Sequence, residues 1–397
     1  MLIAAFIWIL ILLGHLALAC VLFNHVHARS FPTFPGRKSR KLTEKCIALL
    51  AVAPFPVFLY MLWNYVPGTP FRLPGPLRIY GGFAQVVGCY FAIRWVYRTL
   101  TRKLPNGARE VGRQNLDIGQ ELDLDLMHRF KGKVFGLIPG NETTNLSIHD
   151  WEFSFPQLPA DLDGFKICQL SDLHFTGLIG PEYFQRVVEY ANKGNPDLTI
   201  ITGDLMDTDD CLDWIEKVLV HLKAKHGVYY ILGNHDRLIT RYRKYRGRLA
   251  RAGLIAASSA WHSISVGKAQ LILTGNELPW YDDVKRLPDS PSGVDLDDFF
   301  TVLLSHSPDQ IGWAVQRKFD LMFAGHTHGG QIRIPFFGPI IAPSHYGIKY
   351  ASGTFQVRNT MMHVSRGLSG DEPIRLNCPP ELGFFTLRKG EPEAEKT

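Results

Sequence analysis

The chain has 397 residues, 46% of them hydrophobic and 20% charged, which is too apolar for disorder and too long for one small domain. Its net charge of +6 divides unevenly, because residues 1–113 carry fourteen Lys and Arg against Glu44 and Glu110, a surplus of +12 that leaves −6 for the rest. A basic N-terminal third beside apolar runs points to a membrane, and an acidic remainder argues against nucleic acid as a partner.

Met1 to Asn24 contains no charged residue, and about 20 apolar residues suffice to cross the hydrocarbon layer. No Lys or Arg precedes this run, so an uncleaved span is expected and not a signal peptide. A second uncharged run, Cys46 to Val66, carries Pro54 and Pro56 as expected kinks. A third, Ile79 to Ile93, lies between Arg78 and Arg94 and reads as a tilted span or an interfacial helix. Residues 1–105 are therefore expected to form a membrane region with two or three helices, at about 1–24, 46–66 and 79–97. Arg29, Arg37, Lys38, Arg40, Lys41 and Lys45 fill the first connection, and Arg94, Arg98, Arg102, Lys103, Arg109 and Arg113 follow the third run. Both clusters mark the cytoplasmic side, so three spans leave the remainder in the cytoplasm and two would leave it outside. Residues 106–144 show no clear period and read as a connector.

From Asn145 the pattern becomes alternating strands and helices. Phe165 to Leu170 reads as a strand, Pro181 to Lys193 as a helix, and Leu198 to Thr202 as a strand. Cys211 to Lys225 reads as a helix with Leu212, Ile215, Leu219 and Leu222 on one face; Val228 to Leu232 is the next strand. Later strands run Leu271 to Thr274, Thr301 to Ser305 and Leu321 to Ala324. This alternation implies an α/β fold with helices covering the sheets, over residues 145–390, with 391–397 as a tail.

Five of these strands end on residues that ligate metals: Asp172 and His174, Asp204, Asn234 and His235, His306, then His326 and His328. One polar residue at a strand end is ordinary, but five such ends in a sheet whose ligands bind beyond the carboxyl termini of its strands argue for a metal site. Carboxylate, imidazole and amide oxygen together suit Mn, Fe or Zn. Glycines precede Asp204, Asn234 and His326, as loops approaching a metal or an anion closely would need. The six cysteines are scattered without a C-x-x-C pair, so reduced thiols are expected and not a disulfide framework.

Asp172-Leu-His174, Gly203-Asp204, Gly233-Asn-His-Asp236, His306 and Gly325-His-Thr-His328 together resemble the five-block signature of the calcineurin-like metallophosphoesterase superfamily. Ser365-Arg-Gly-Leu and Cys378-Pro-Pro-Glu381 resemble its membrane-anchored YkuE/YaeI-like branch, which includes transmembrane proteins with a metallophosphoesterase domain. The resemblance covers about Asn145 to Leu387 and implies a four-layered α/β/β/α sandwich with two divalent metal ions. It assigns Asp172, His174, Asp204 and His328 to one metal, and Asp204, Asn234, His306 and His326 to the other. It gives His235 the role of a catalytic imidazole beside the phosphoryl group, with Asp236 orienting it or serving a turn.

The activity so implied is hydrolysis of a phosphoester or pyrophosphate bond by a metal-activated hydroxide. A lipid-linked substrate of the UDP-diacylglucosamine kind is the candidate that related members suggest. A soluble nucleotide, a phosphoprotein, or a receptor or scaffold that keeps the site without turnover stay open as alternatives. Arg241, Lys244, Arg248 and Arg251 fall on one face of a basic helix, read either as solvated or as contacting anionic lipid. Trp280 and Tyr281 are read as lining a pocket or packing inside, and Trp313 and the Phe336-Phe337 pair as core or interface.

Overall fold

The computed structural model describes residues 2–28, 36–53, 75–101, 103–258, 260–282, 288, 290–291 and 295–390. They divide into two compact units, Met1–Lys103 with Pro343–Gly347, and Leu104–Ala342 with Ile348–Thr397.

The first unit contains α1 (Leu2–Ala28), α2 (Gly36–Val52) and α3 (Gly75–Thr101). Among the described residues one helical stretch is long and apolar enough to cross a membrane, Phe6–Val26. The expected span Cys46 to Val66 falls largely on residues outside those described, and Ile79 to Ile93 lies within α3. α1 and α3 meet through small residues. A Cβ on Gly88 would lie 3.1 Å from the Gly14 nitrogen, and Ala84, one helical turn earlier, is fully buried. Small residues of this kind let two helix backbones approach closely enough to gain dispersion contacts.

The second unit is built on two mixed sheets. One holds β1 (Ala108–Asp117), β2 (Asn145–Phe155), β3 (Lys166–Leu170), β4 (Leu198–Thr202), β5 (Val228–Ile231), β6 (Leu254–Ala256) and β15 (Glu381–Lys389). Their order is β1-β2-β15-β3-β4-β5-β6, with β3 to β6 parallel. The other holds β7 (His262–Val266), β8 (Ala269–Asn276), β9 (Phe300–Ser305), β10 (Leu321–Ala324), β13 (Gly353–Val357) and β14 (Thr360–Val364), in the order β13-β14-β10-β9-β8-β7. Ile167, Ile200 and Ile231 of the first sheet pack on Leu273, Val302 and Phe323 of the second. Alternate residues face outward, where Phe184 and Val187 of one helix, α6 (Pro181–Lys193), cover Leu170 and Ile201. On the far side, Ile311 and Ala314 cover Leu303 and Met322. These mixed α/β sheets are consistent with the metallophosphoesterase architecture.

Two local differences from the sequence reading have physical causes. The segment read as a connector contains β1 and two short helices, α4 (Ile118–Leu122) and α5 (Arg129–Gly136). β1 is an edge strand with few buried side chains, so it carries little alternation to read. The helix expected over 211–225 is broken into short turns around α7 (Trp214–Lys217). Gln185 and Asn192 of α6 donate to the carbonyls of Lys217 (3.2 Å) and His221 (2.8 Å), taking acceptors that a continuous helix would use itself. All six cysteines are free thiols.

Candidate metal centre

Three strands of the parallel core deliver polar residues at their carboxyl ends. β3 ends at Leu170, and the chain then turns through Asp172 and His174; β4 ends at Thr202 and turns through Asp204; β5 leads to Asn234 and His235. From the second sheet, β9 leads to His306 and β10 to His326 and His328. Asp172, His174, Asp204 and His328 converge so that one ligand atom from each lies within 4.8 Å of the others, and Asp204, His306 and His326 do the same. Asp204 belongs to both groups, and the Asn234 side-chain oxygen lies 3.2 Å from His306 Nε2. All seven residues expected as metal ligands are thus gathered in one place.

The backbone is strained to achieve this. Asp172, His174, Asp204, His326 and His328 have φ of 50°, 45°, 51°, 70° and 49°, the left-handed region that side chains other than glycine rarely occupy. Such residues cluster where function holds them there against a cost of about 1–3 kcal/mol each. Gly233 must be glycine for a different reason, since a Cβ there would stand 2.6 Å from His306 Nε2 and 2.7 Å from the Asp204 nitrogen.

Hydrogen bonds set the tautomers. The carbonyl of Thr202 can only accept, so His306 Nδ1 donates to it at 2.8 Å, which turns Nε2 toward the side-chain oxygens of Asn234 and Asp204. His174 Nδ1 donates to Asp207 at 2.9 Å, which turns its Nε2 toward His328 Nε2 at 3.1 Å. His326 Nδ1 and His306 Nε2 face each other at 3.2 Å. Ring nitrogens turned on one another beside carboxylates form a donor set with an affinity for positive charge. Burial lowers the basicity of His306, yet Asp204 outweighs it and brings this imidazole up to about 9. Burial likewise opposes ionisation of Asp172, and His328 beside it reverses the balance and holds the carboxyl well below its usual range. The residues therefore fit a pair of divalent cations, with nitrogen and oxygen donors suited to borderline metals.

Two acidic residues surround this cage. Asp207, which the sequence reading missed, is half-buried and bonds both His174 and His235 Nδ1. It follows Asp204 by three residues but no strand of its own, so only its spacing within Asp-Leu-Met-Asp could have signalled it. Asp236 is fully buried and accepts from Gly233 N (2.8 Å), Met206 N (3.2 Å) and the Tyr245 hydroxyl (2.7 Å). It ties the Asp204 loop to the Asn234 loop, and burial together with the Asp204 charge raises its pKa. His235 lies 4.6 Å from His174 ring to ring; burial disfavours its charge, but Asp207 and Asp204 prevail and raise its pKa. Half-buried Trp280 stands at one edge, its ring 5.2 Å from His306 and 4.9 Å from His326.

Behind Asp172, Leu368 N donates to Ser171 O and Ser369 N to Asp172 O, both at 2.9 Å. Buried Glu381 braces that loop, accepting from Arg366 Nε at 2.8 Å and lying 3.2 Å from His363 Nε2. Arg366 in turn contacts His149, whose other ring nitrogen lies 2.8 Å from Glu110. On the basic helix α8 (Tyr242–Arg251), Tyr245 and Leu249 pack inward, Arg241, Lys244 and Arg251 are exposed, and Arg248 pairs with Glu216 at 3.3 Å.

Comparison with known proteins accords with this geometry. The profile of the calcineurin-like phosphoesterase family matches residues 165–330. The metallophosphoesterase YkuE of Bacillus subtilis is 34% identical over 238 residues, 58% of this chain and 82% of that protein. The chain belongs to this family. It is a hydrolase acting on phosphorus ester bonds, with candidate metal-binding residues in place. A transmembrane protein with metallophosphoesterase domain from Danio rerio is 28% identical, over 64% of this chain and 60% of that one. The UDP-2,3-diacylglucosamine pyrophosphatase LpxG of Chlamydia trachomatis is 25% identical, over 61% of this chain and 89% of its own length. The apolar helix Phe6–Val26 and the likeness to a transmembrane protein point to membrane association.

Proposed function

We propose that this chain is a membrane-bound phosphoesterase with a binuclear metal site. Asp172, His174, Asp204 and His328 would hold one cation and Asp204, Asn234, His306 and His326 the other. The observation that carries the reading is the donor set itself: imidazole nitrogens turned on one another around a shared carboxylate, on backbone held in an unfavourable conformation. When bound, two divalent cations lower the pKa of water and offset charge on the attacking and departing oxygens of a phosphoryl displacement.

The chain's own residues supply the rest. Asp207 fixes His235 through Nδ1, leaving Nε2 to donate to a phosphoryl oxygen or to protonate the leaving oxygen. Asp236 keeps the two loops in register so that His235 and Asp204 hold their separation. Trp280 covers the edge occupied by His306 and His326, where an apolar or planar leaving group would lie.

The LpxG likeness and the apolar N-terminal helix favour a lipid-linked pyrophosphate or phosphoester, of the diacylated UDP-sugar kind. Three membrane spans, at about 1–24, 46–66 and 79–97, would place the catalytic domain, residues 145–390, on the cytoplasmic side, supported by the Lys and Arg clusters of the first connection and of residues 94–113. The test is metal content together with hydrolysis of an aryl phosphodiester by purified protein. His235→Ala should keep its metal and lose turnover, whereas Asp204→Ala should lose both. Metal without any hydrolysis in the unsubstituted protein would favour the scaffold reading instead.

A further inference from the structure

The catalytic unit carries one helix that is inside out. On α5 and its C-terminal cap, Phe130, Val134 and Leu137 recur at i, i+4 and i+7, the spacing of a buried stripe, yet they are exposed, Phe130 by 85% and Leu137 by 82%. The inward face is Gly132, where a Cβ would stand 2.6 Å from the Leu178 carbonyl oxygen, so the helix docks by its glycine and turns its apolar stripe outward. A second apolar projection is the hairpin of β11 (Arg333–Ile334) and β12 (Gly338–Pro339). At its tip Phe336 has φ of 67° and is 93% exposed, so of the core and interface roles read from the sequence it does not take the first.

The two projections flank one segment. Lys131 of α5 pairs with Glu372 at 2.6 Å, and Gln331 before the hairpin donates to the Glu372 carbonyl at 2.6 Å. Arg333 N donates to Leu376 O at 2.9 Å. The same segment begins beside the metal centre, since a Cβ on Gly370 would lie 3.1 Å from His328 Nδ1. Scattered apolar residues on a surface mean little, but two apolar projections attached to one segment beside a site mark an interaction surface.

We infer that α5 and the β11–β12 tip insert into the interfacial layer of an anionic membrane and hold the mouth of the metal centre at the headgroups. Charge favours a bilayer as occupant: residues 129–138 carry Arg129, Lys131 and Lys133, residues 332–341 carry Arg333, and neither stretch contains an acid. Lys131 meets Glu372, and Arg129 lies 3.6 Å from Asp210, but Lys133 is exposed and available to lipid phosphate. The chain also brings its own membrane, because Phe6–Val26 is apolar enough to span one. The inference rests on the membrane anchoring of the proposed function and needs no turnover.

The experiment uses the full chain in vesicles of phosphatidylcholine with and without phosphatidylglycerol. Phe336→Trp and Leu137→Trp each add a fluorophore on the surface, with Val220→Trp, exposed elsewhere on the unit, as reference. In anionic vesicles, lipids brominated on their chains should quench the two patch tryptophans several-fold more than the reference, and acrylamide correspondingly less. Flotation of the unsubstituted chain with vesicles tests the anchoring separately. Flotation with patch tryptophans as open to acrylamide as the reference would overturn the docking surface while leaving the anchoring intact. Patch tryptophans shielded from both quenchers would show a protein partner or a second copy there, and would overturn it too.

Discussion

In the N-terminal unit, α1 and α3 keep Ala84 inside and turn Ile79, Val86 and Ile93 outward; in the catalytic unit the order is reversed, with Ile167, Ile200 and Ile231 inside. Both units nevertheless use glycine where two backbones or a backbone and an imidazole must approach: Gly14 and Gly88 in one, Gly233 in the other. The difference lies in what the close approach achieves. Between α1 and α3 it lets two helix backbones pack closely, with Ala84 fully buried. In the Asn234 loop it brings Asp204 and His306 together, and their field raises the imidazole's affinity for positive charge.

Substitutions should separate these roles. Gly233→Ala leaves no room for its methyl group beside His306, so hydrolysis of a soluble aryl phosphodiester should fall on the order of 10²-fold while the circular dichroism is unchanged. Wild-type turnover would show that the loop yields and that the cage is looser than its packing implies. Glu381→Gln removes the buried carboxylate that Arg366 and His363 share, and should cost about 3–5 kcal/mol of stability by urea unfolding. A change near zero would mean that this network is not a unit.

Acid should act through His149, whose pKa burial lowers, with Glu381 and Glu110 opposing. In the unfolded chain an imidazole titrates near about 6.5, so below that pH unfolding takes up a proton. The His149 contribution is therefore full above the unfolded pKa and is lost as pH falls beneath it. The melting temperature of the catalytic unit should hold near pH 8 and decline below about pH 6.5, and His149→Gln should flatten that first decline. An unaltered slope in the variant would assign the acid sensitivity elsewhere. The smallest effect on chemistry is expected from Gly14→Leu, which forces α1 from α3 and should lower the thermal stability of the helical unit in detergent. Hydrolysis of the soluble diester should not change; a parallel loss would show that the helices support the site.

Much of the site could be read from sequence because each strand-end motif directly follows an apolar run, so periodicity alone placed Asp172, Asp204, Asn234, His306 and His326 at carboxyl ends of strands. Asp207 could not be read that way, because it sits within a loop and gains its meaning only from His174 and His235, far away in the sequence. The broken 211–225 segment was hidden for a related reason: its four apolar positions are buried as expected, but side chains of α6 decide the path of its backbone. Phe336, read as core or interface, is kept out of the core because a left-handed hairpin tip presents its ring outward.

The most direct measurement is anomalous X-ray scattering from the purified chain soaked in Mn²⁺. Two peaks should emerge, one among Asp172, His174 and His328 and one among Asn234, His306 and His326, with the Asp204 carboxylate touching both. A lone peak, or a pair that Asp204 does not join, would contradict the shared cage.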